Sequence, residues 1–430
     1  MNLTVVGAGH VGLVTGACMA DLGNTVTCVD NDTQKVALLN EGVLPIFEPG
    51  LEELVKRNRQ NERLRFTTSV AEGVDAAEAI FITVGTPSKQ DGSPDMSYVE
   101  AVAREIARNL KSYRLIIEKS TVPVRTGEWV KRTIRLYNGN GAEFDVASVP
   151  EFLREGSAVY DFLHPDRIVA GVESPRAEAL IRALFKPLNA PLVVTDIKSA
   201  ELIKHASNCF LAMKISYINA VAALCELVGA DVTQVALGMG YDRRIGREFL
   251  SAGVGYGGSC FPKDISAFIR IAKEAGYDFE LLRVVERINK GQRAMLVKKV
   301  KDALWVLKGK TIAVLGLAFK PDTDDMREAP SLDVIQMLAD EGACVRAYDP
   351  IVREAARPLL PATVELCADA YDAVRGSDAL VLLTEWGEFK KLDLQRVRSL
   401  MAVPVVVDGR NMFDPAEMAR LGFEYRGVGR

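Results

Sequence analysis

The sequence predicts an α/β protein with two doubly wound domains, joined by a long central helix and a helical region suited to dimerisation. Three observations carry that expectation. Residues 1 to about 196 alternate short β-rich runs with amphipathic helical segments, the pattern of a parallel sheet covered on both faces. A second run of the same kind begins near Lys310. Between them, no Pro or Gly interrupts a helical pattern from about Lys198 to Gly229. At 1.5 Å per residue such a helix runs roughly 45–50 Å, longer than one small domain needs. The expected domains are 1–196, 197–305 and 306–430.

The chain opens with the β-rich run Leu3-Thr4-Val5-Val6, then Gly7-Ala8-Gly9-His10-Val11-Gly12, then a helical pattern to about Leu22. A second strand, 25–29, ends on Asp30. Strand, glycines, helix, strand and acid in this order form the Rossmann-like dinucleotide fingerprint. Gly7 serves the tight turn, Gly9 the close approach of a pyrophosphate, and Gly12 the packing of helix on strand. Asp30 lies where a carboxylate accepts from ribose hydroxyls. Its neighbours Asn31 and Asp32 include no Arg, so the expectation is NAD rather than NADP.

Further strands are expected at 79–84, 115–118, 146–149 and 168–172, with helices such as 97–110 and 126–137 between them. The loops Gly85-Thr86-Pro87 and Ser120-Thr121-Val122-Pro123 then fall at carboxyl ends of strands, where open α/β sheets bind ligands.

The central helix is apolar over most of its surface from Phe210 through Leu227, which predicts burial on both sides, with dimerisation as the simplest account. The second doubly wound unit starts with strand 311–315 into Gly316, followed by a helix at 331–340 and a strand at 344–348 ending on Asp349. Strands at 379–384 and 403–407 follow. This unit lacks the second and third fingerprint glycines, so it reads as a nucleotide-like site without a dinucleotide.

Composition excludes several classes. A length of 430 residues with 48% hydrophobic and 26% charged residues is ordinary for a soluble globular protein of two or three domains. A net charge of −4 argues against nucleic acid or an anionic membrane as partner. Seven scattered cysteines without metal-ligand spacing fit a reducing cytoplasm and no disulfide framework. With only His10, His164 and His205, a histidine-based metal site has little material. The apolar N-terminus lacks the basic region of a signal peptide, since no Lys or Arg precedes Lys35. The apolar stretch 209–225 is interrupted by Lys214 and Asn219 and is short for a membrane span.

The chemistry concentrates in Gly253-Val254-Gly255-Tyr256-Gly257-Gly258-Ser259-Cys260-Phe261-Pro262-Lys263-Asp264. Glycines allow the backbone to bend tightly, and Pro262 suits the first turn of a helix. Cys260 is thereby placed at a helix N-terminus with Lys263 nearby, and both favour thiolate over thiol. Lys204 and Asn208 are four residues apart, on one face of the long helix.

Taken in order, these motifs resemble the UDP-glucose/GDP-mannose dehydrogenase family over essentially the whole chain. The resemblance also rests on Val84-Gly85-Thr86-Pro87, Lys119-Ser120-Thr121-Val122-Pro123, Val149-Pro150-Glu151-Phe152-Leu153-Arg154-Glu155-Gly156, Gly316-Leu317-Ala318-Phe319-Lys320 and Arg327-Glu328. It implies an NAD-dependent four-electron oxidation at C6 of a nucleotide sugar, feeding polysaccharide biosynthesis. Cys260 would form a thiohemiacetal and then a thioester that water hydrolyses. Lys204 and Asn208 would stabilise the negative oxygens and Asp264 would position or activate water. Thr121 and Glu155 would contact cofactor and a catalytic water.

By the same resemblance, cofactor contacts extend from Gly7, Gly9, Val11, Gly12 and Asp30 to Lys35 and Thr86, and to Lys263 and Arg327. The sugar nucleotide would meet Glu151, Phe152, Leu153, Arg154 and Glu155, then Lys204 and Asn208. It would also meet the loop of Phe249, Leu250, Ser251, Ala252 and Gly253, with Gly257, Lys320 and Arg410. Arg244 would reach in from the partner of a homodimer, and with Lys320 would pair with the diphosphate. Through its resemblance to the family's loops, the Gly257–Asp264 segment implies UDP-glucose as the sugar. The alternatives are GDP-mannose, a UDP-N-acetylhexosamine, or a non-catalytic tandem nucleotide-binding protein, which would have no use for a nucleophile.

Overall fold

The structure, a computed structural model, describes residues 1–87, 89 and 94–430. Its contacts group into two compact units. One comprises Met1–Ser207 with Ser266–Gly276, the other Asn208–Ile265 with Tyr277–Arg430.

The first unit is built on eight strands: β1 (Asn2–Val6), β2 (Thr25–Val29), β3 (Leu64–Thr67), β4 (Ala79–Ile82), β5 (Arg114–Glu118), β6 (Phe144–Ser148), β7 (Ile168–Gly171) and β8 (Leu192–Thr195). Their order is β3-β2-β1-β4-β5-β6-β7-β8. β1 lies between β2 and β4, so the strand order reverses there, and a crevice opens beyond its carboxyl end. Alternation supplies two apolar faces. Leu3, Val5 and Phe81 pack in one core cluster, and Val6, Ile80 and Ile82 in the other.

The expectation of a wholly parallel sheet needs correction. β6 and β7 meet antiparallel, through Ser148 and Gly171. The helix in their connection, Ala158–Leu163, has six residues.

The second unit holds β9 (Thr311–Leu315), β10 (Cys344–Tyr348), β11 (Glu365–Leu366), β12 (Ala379–Leu382), β13 (Val405–Asp408) and β14 (Glu424–Arg426). All neighbours run parallel, in the order β11-β10-β9-β12-β13-β14. Helices Glu280–Leu304 and Pro330–Asp340 pack against each other and reach β13 and β10 respectively.

The long helix is Ile197–Val228, 32 residues, about 48 Å. Within the single chain the helix is buried along one side. Cys209, Ala212, Ile218, Ala222 and Cys225 are buried, whereas Phe210, Tyr217 and Leu224, spaced by seven, stay more than half exposed, as do Leu227 and Val228. The inner face packs within the chain, and among the described residues no element covers Phe210, Tyr217 or Leu224 on the outer face. The helix is long and apolar enough to cross a bilayer. Its first third, however, is tied to a globular unit: Glu201 accepts backbone N–H bonds from Arg125 and Gly127, and His205 bonds the Val122 carbonyl.

Candidate active site

The fingerprint turn follows β1. Gly7 has φ +106°, and a Cβ there would lie 2.9 Å from the Thr83 backbone. At Gly12 a Cβ would lie 1.7 Å from the Gly7 carbonyl oxygen, so helix and strand pack too closely for any side chain. At Gly9 a Cβ would meet nothing within 4 Å. That open side is the one a pyrophosphate needs. The helix His10–Asp21, with Val11 in its first turn, has no side-chain cap, so its leading N–H groups can serve an anion.

Asp30, at the end of β2, is held beside this turn. Its Oδ2 accepts the Ala8 N–H at 2.8 Å and pairs with Lys35 Nζ at 3.0 Å, while Oδ1 accepts the Asp32 N–H. Asp32 plays a separate part, capping helix Thr33–Glu41 by accepting from the Gln34 and Lys35 amides. Of the two acids, Asp30 is thus the one held against the fingerprint turn, and Lys35 partly offsets its charge. His10 bonds Glu48 at 2.7 Å. Burial alone would lower the imidazole pKa; the Glu48 hydrogen bond and the charges of Glu155, Glu48 and Glu151 raise it instead. Glu48 also accepts the Gly156 and Ala158 N–H groups at 2.8 Å, tying the fingerprint helix to the loop after β6.

In the loop after β4, Thr86 donates its hydroxyl to the carbonyl of Thr121, in the loop after β5, at 2.9 Å. Two buried carboxylates lie under this loop. Glu118 accepts the Ser120 N–H at 2.9 Å, and burial pushes its carboxyl up to about 8, with the nearby Glu201 charge adding to the rise. Glu201 fixes the turn at Arg125, a non-glycine residue at φ +81°, and burial raises it to about 7. Lys119 is buried as well, which lowers its ammonium to about 8.

Lys204 and Glu151 form a buried ion pair at 3.0 Å, with side chains 4% and 5% exposed. Burial alone would raise the Glu151 carboxyl; the Lys204 ammonium overrides it and lowers it. Glu151 also accepts the Leu153 N–H. The Phe152 ring faces Lys204 Nζ at 5.3 Å and Arg167 at 3.6 Å, a cation–π setting that keeps the ammonium oriented. Arg154 is engaged with Asp161 at 2.7 Å.

In the second unit, Asn208 donates to Asp264 Oδ2 at 2.6 Å, and both side chains are buried. Lys263 Nζ lies 3.8 Å from Asp264 Oδ1. Cys260 is half-buried, directly before helix Phe261–Glu274, and its carbonyl accepts the Asp264 N–H at 2.9 Å. The Ser259 hydroxyl is 3.6 Å from its sulfur. Cysteine, acid and amide are thus assembled on one helix turn plus one residue of the long helix, with Lys204 one turn earlier along that helix.

The remaining expected residues fall less uniformly. Phe249 takes φ +64°; Leu250 and Ala252 are buried, Ser251 is exposed, and the Gly253 N–H is held by Asn219 at 2.8 Å. A Cβ on Gly257 would lie 2.2 Å from the Glu328 carbonyl oxygen, so this glycine serves backbone packing. Lys320 Nζ sits 5.4 Å from the Phe319 ring. Arg327 is paired with Asp325 at 2.8 Å, and Arg244, 89% exposed, with Asp242 at 2.6 Å. Arg410 donates to the carbonyls of Leu383, Gly255 and Phe319 and pairs with Glu385, so its guanidinium organises backbone. Sequence reasoning passed over Glu48, Glu118, Glu201, Asn289 and Arg293, and gave no role to Lys119 or Asn219, which it named only within a motif and an apolar stretch.

Comparison with known proteins agrees with this geometry. Three models of the UDP-glucose/GDP-mannose dehydrogenase family match in sequence: its NAD binding domain at residues 1–189, its central domain at 198–291 and its UDP binding domain at 313–415. The chain belongs to this family. It is 48% identical to the UDP-glucose 6-dehydrogenase TuaD of Bacillus subtilis, covering 100% of this chain and 93% of that protein. The UDP-glucose 6-dehydrogenase of Rhizobium meliloti is likewise 48% identical, with 100% of both chains covered. Among solved structures, a UDP-glucose dehydrogenase from Pyrobaculum islandicum superposes with a TM-score of 0.94 at 40% identity, covering 100% of this chain and 97% of that one.

Within the dehydrogenase family frame, NAD is the cofactor, and Gly7, Gly9, Gly12 and Asp30 fit it. The UDP binding domain repeats the same skeleton with a different outcome. Gly316 N–H bonds the Tyr348 carbonyl as Gly7 N–H bonds that of Val29. Asp349 stands where Asp30 does, but accepts from the Leu317, Ala318, Ile351 and Val352 amides and from the Trp386 indole, and is fully buried. Its acceptor positions are taken by these donors, so the carboxylate is not free to receive ribose hydroxyls as Asp30 is expected to.

Proposed function

We propose that the chain is an NAD-dependent UDP-glucose 6-dehydrogenase. It oxidises the C6 alcohol of UDP-glucose to the carboxylate of UDP-glucuronate, with Cys260 carrying the sugar between the two oxidations. The observation that carries this reading is the Cys260–Asp264 helix turn with Asn208 bound to its acid. The full-length relatives named UDP-glucose 6-dehydrogenase support the choice of sugar.

NAD, when bound, accepts hydride from C6 in each of the two oxidations. The Lys204 ammonium, held by Glu151, and the Asn208 amide stabilise the C6 oxygen as it gains charge. The Cys260 thiolate adds to the aldehyde carbon, forming a C–S bond and a thiohemiacetal that presents a second hydride. Loss of that hydride leaves a thioester. Asp264 takes a proton from the attacking water, with Thr121 and Glu155 holding that water in place; C–S cleavage then releases carboxylate and thiolate.

The loop from Phe249 to Gly253 and Gly257, with Lys320 and the partner's arginine at the position of Arg244, receives the sugar nucleotide. Glu151 to Glu155 border it. Arg410 acts by holding Gly255 and Phe319. Lys263 and Arg327 complete the cofactor site. The assembly is a cytoplasmic homodimer formed through Phe210, Tyr217 and Leu224 on the outer face of the long helix, and the chain divides at about residues 197 and 306 into three functional domains.

The test is product accounting with UDP-glucose, GDP-mannose and UDP-N-acetylhexosamines. Two NADH per sugar acid, with UDP-glucose preferred, is the expected result. One NADH with free aldehyde accumulating overturns the mechanism, and preference for another sugar overturns the substrate.

A further inference from the structure

We propose that Asn289 and Arg293, on helix Glu280–Leu304, are positioning residues for Cys260. They act by fixing the peptide path of the glycine-rich segment that leads into it. The inference rests on the reading of Cys260 as nucleophile.

Residues 250–260 contain no helix or strand. Four of the six residues from Gly253 to Gly258 are glycine. Freezing each backbone costs roughly 1–2 kcal/mol, and glycine loses the most freedom. Something outside the segment has to hold it. The Asn289 carboxamide accepts the Tyr256 N–H at 2.8 Å and donates to the Tyr256 carbonyl at 3.0 Å. One side chain thus supplies the pair of bonds that a neighbouring strand residue supplies in a sheet.

Arg293, one turn along the same helix, reaches the Tyr256 and Glu328 carbonyls at 3.4 and 3.5 Å and pairs with Asp333 at 2.7 Å. Both side chains are buried, at 4% exposure each. A buried amide and a buried guanidinium are costly unless bonded; their bonds go to this segment, to Glu328 and to their own helix, and the guanidinium is also paired with Asp333.

The fit is mutual. Gly255 has φ +96°, and a Cβ there would lie 2.5 Å from Asn289 Oδ1. Tyr256 is four residues before Cys260. The loop 249–253 is held separately, by Asn219 at Gly253. Loss of the Asn289 bonds should therefore misplace the sulfur more than the sugar-binding loop.

The experiment uses the full-length enzyme and the variants Asn289→Ala and Asn289→Asp. Asp keeps the acceptor for the Tyr256 N–H but loses the donor. Leu338→Ala, in the second unit's core, serves as a control destabilised to a similar Tm. Three quantities are read: kcat, KM for UDP-glucose, and the rate of Cys260 alkylation by iodoacetamide, resolved by peptide mass spectrometry. Asn289→Ala should lose about ten- to a hundredfold in kcat, as misplacement by an ångström does. KM should stay within about threefold, alkylation should slow, and Asn289→Asp should recover part of the loss. If Asn289→Ala matches Leu338→Ala in kcat and alkylation at equal Tm, or if only KM moves, the positioning role is overturned. If Asn289→Ala does not fold, Asn289→Asp with wild-type kcat and alkylation has the same consequence. Wild-type enzyme fully alkylated at Cys260 yet active would overturn the nucleophile itself, a distinct result.

Discussion

The Asn208 amide holds the Asp264 carboxylate at 2.6 Å in a buried setting, one turn along the same helix from the Lys204–Glu151 ion pair. Asn208 therefore has two roles that mutation can separate, orienting an acid and donating to the reacting oxygen. Asn208→Ala should leave a buried acceptor short of a donor and cost about 1–3 kcal/mol of stability in urea unfolding. Its kcat should fall well beyond that of a core variant with the same loss. Unchanged stability would show that Asp264 finds another donor.

Cys260→Ser should fold with an unchanged Tm and still bind UDP-glucose and NAD. A serine hydroxyl is a far weaker nucleophile at neutral pH. Acid formation should fall by about three orders of magnitude or more. Near-normal NADH production would make the cysteine structural.

Asp30→Ala should remove the acceptor beside the fingerprint turn and leave Lys35 without its carboxylate. NAD affinity should weaken by about 1–3 kcal/mol, while NADP should improve. The ratio of kcat/KM for the two cofactors measures this. An unchanged ratio would move the discriminating group elsewhere.

Glu118 gives a pH dependence with a definite sign. Its folded pKa, about 8, lies above the ordinary 4.5, so the folded state retains a proton that the unfolded state releases. That contribution to stability is fully present below about pH 4.5 and is lost as pH rises through about 8. Glu118→Gln should therefore flatten the decline of Tm across this window and raise Tm at its upper end. Parallel Tm–pH curves for the two proteins would refute the assignment.

Leu224→Arg, on the outer face of the long helix, should shift sedimentation from dimer towards monomer, because a charge replaces apolar area that the proposed interface covers. An unaltered dimer would place the interface on another surface.

Much of the fold was legible because buried parallel strands read as continuous apolar runs, and the fingerprint ties strand, glycines and acid to fixed spacings. The strands that escaped, β3, β8, β11 and β14, are the four edges of the two sheets. They have only two to four residues each, so the alternation of Leu64 and Phe66 in β3 and the apolar run 192–194 in β8 are too brief to stand out. In the site, Cys260 stood out by its glycine-rich approach and the Pro-Lys-Asp that follows, whereas Lys204, Asn208 and Asp264 were picked out through the family resemblance. Glu48, Glu201 and Asn289 were not, because each acts on backbone far away in sequence: Glu48 on Gly156, Glu201 on Gly127, Asn289 on Tyr256. A carboxylate or amide on an amphipathic helix carries no local mark of such a partner.

The sealed acid at Asp349 bears on how many dinucleotides one chain can carry. A tandem of two similar folds invites a stoichiometry of two, yet the second seat is upholstered from within by the Leu317 and Ala318 amides and the Trp386 indole. Calorimetric titration with NAD should saturate at one equivalent per chain. Emptying the second seat by Trp386→Phe would free a single lone pair, too little to turn a filled cradle into a receptor. The repeated fold thus lends the enzyme a scaffold for its other ligand without creating a competitor for the cofactor.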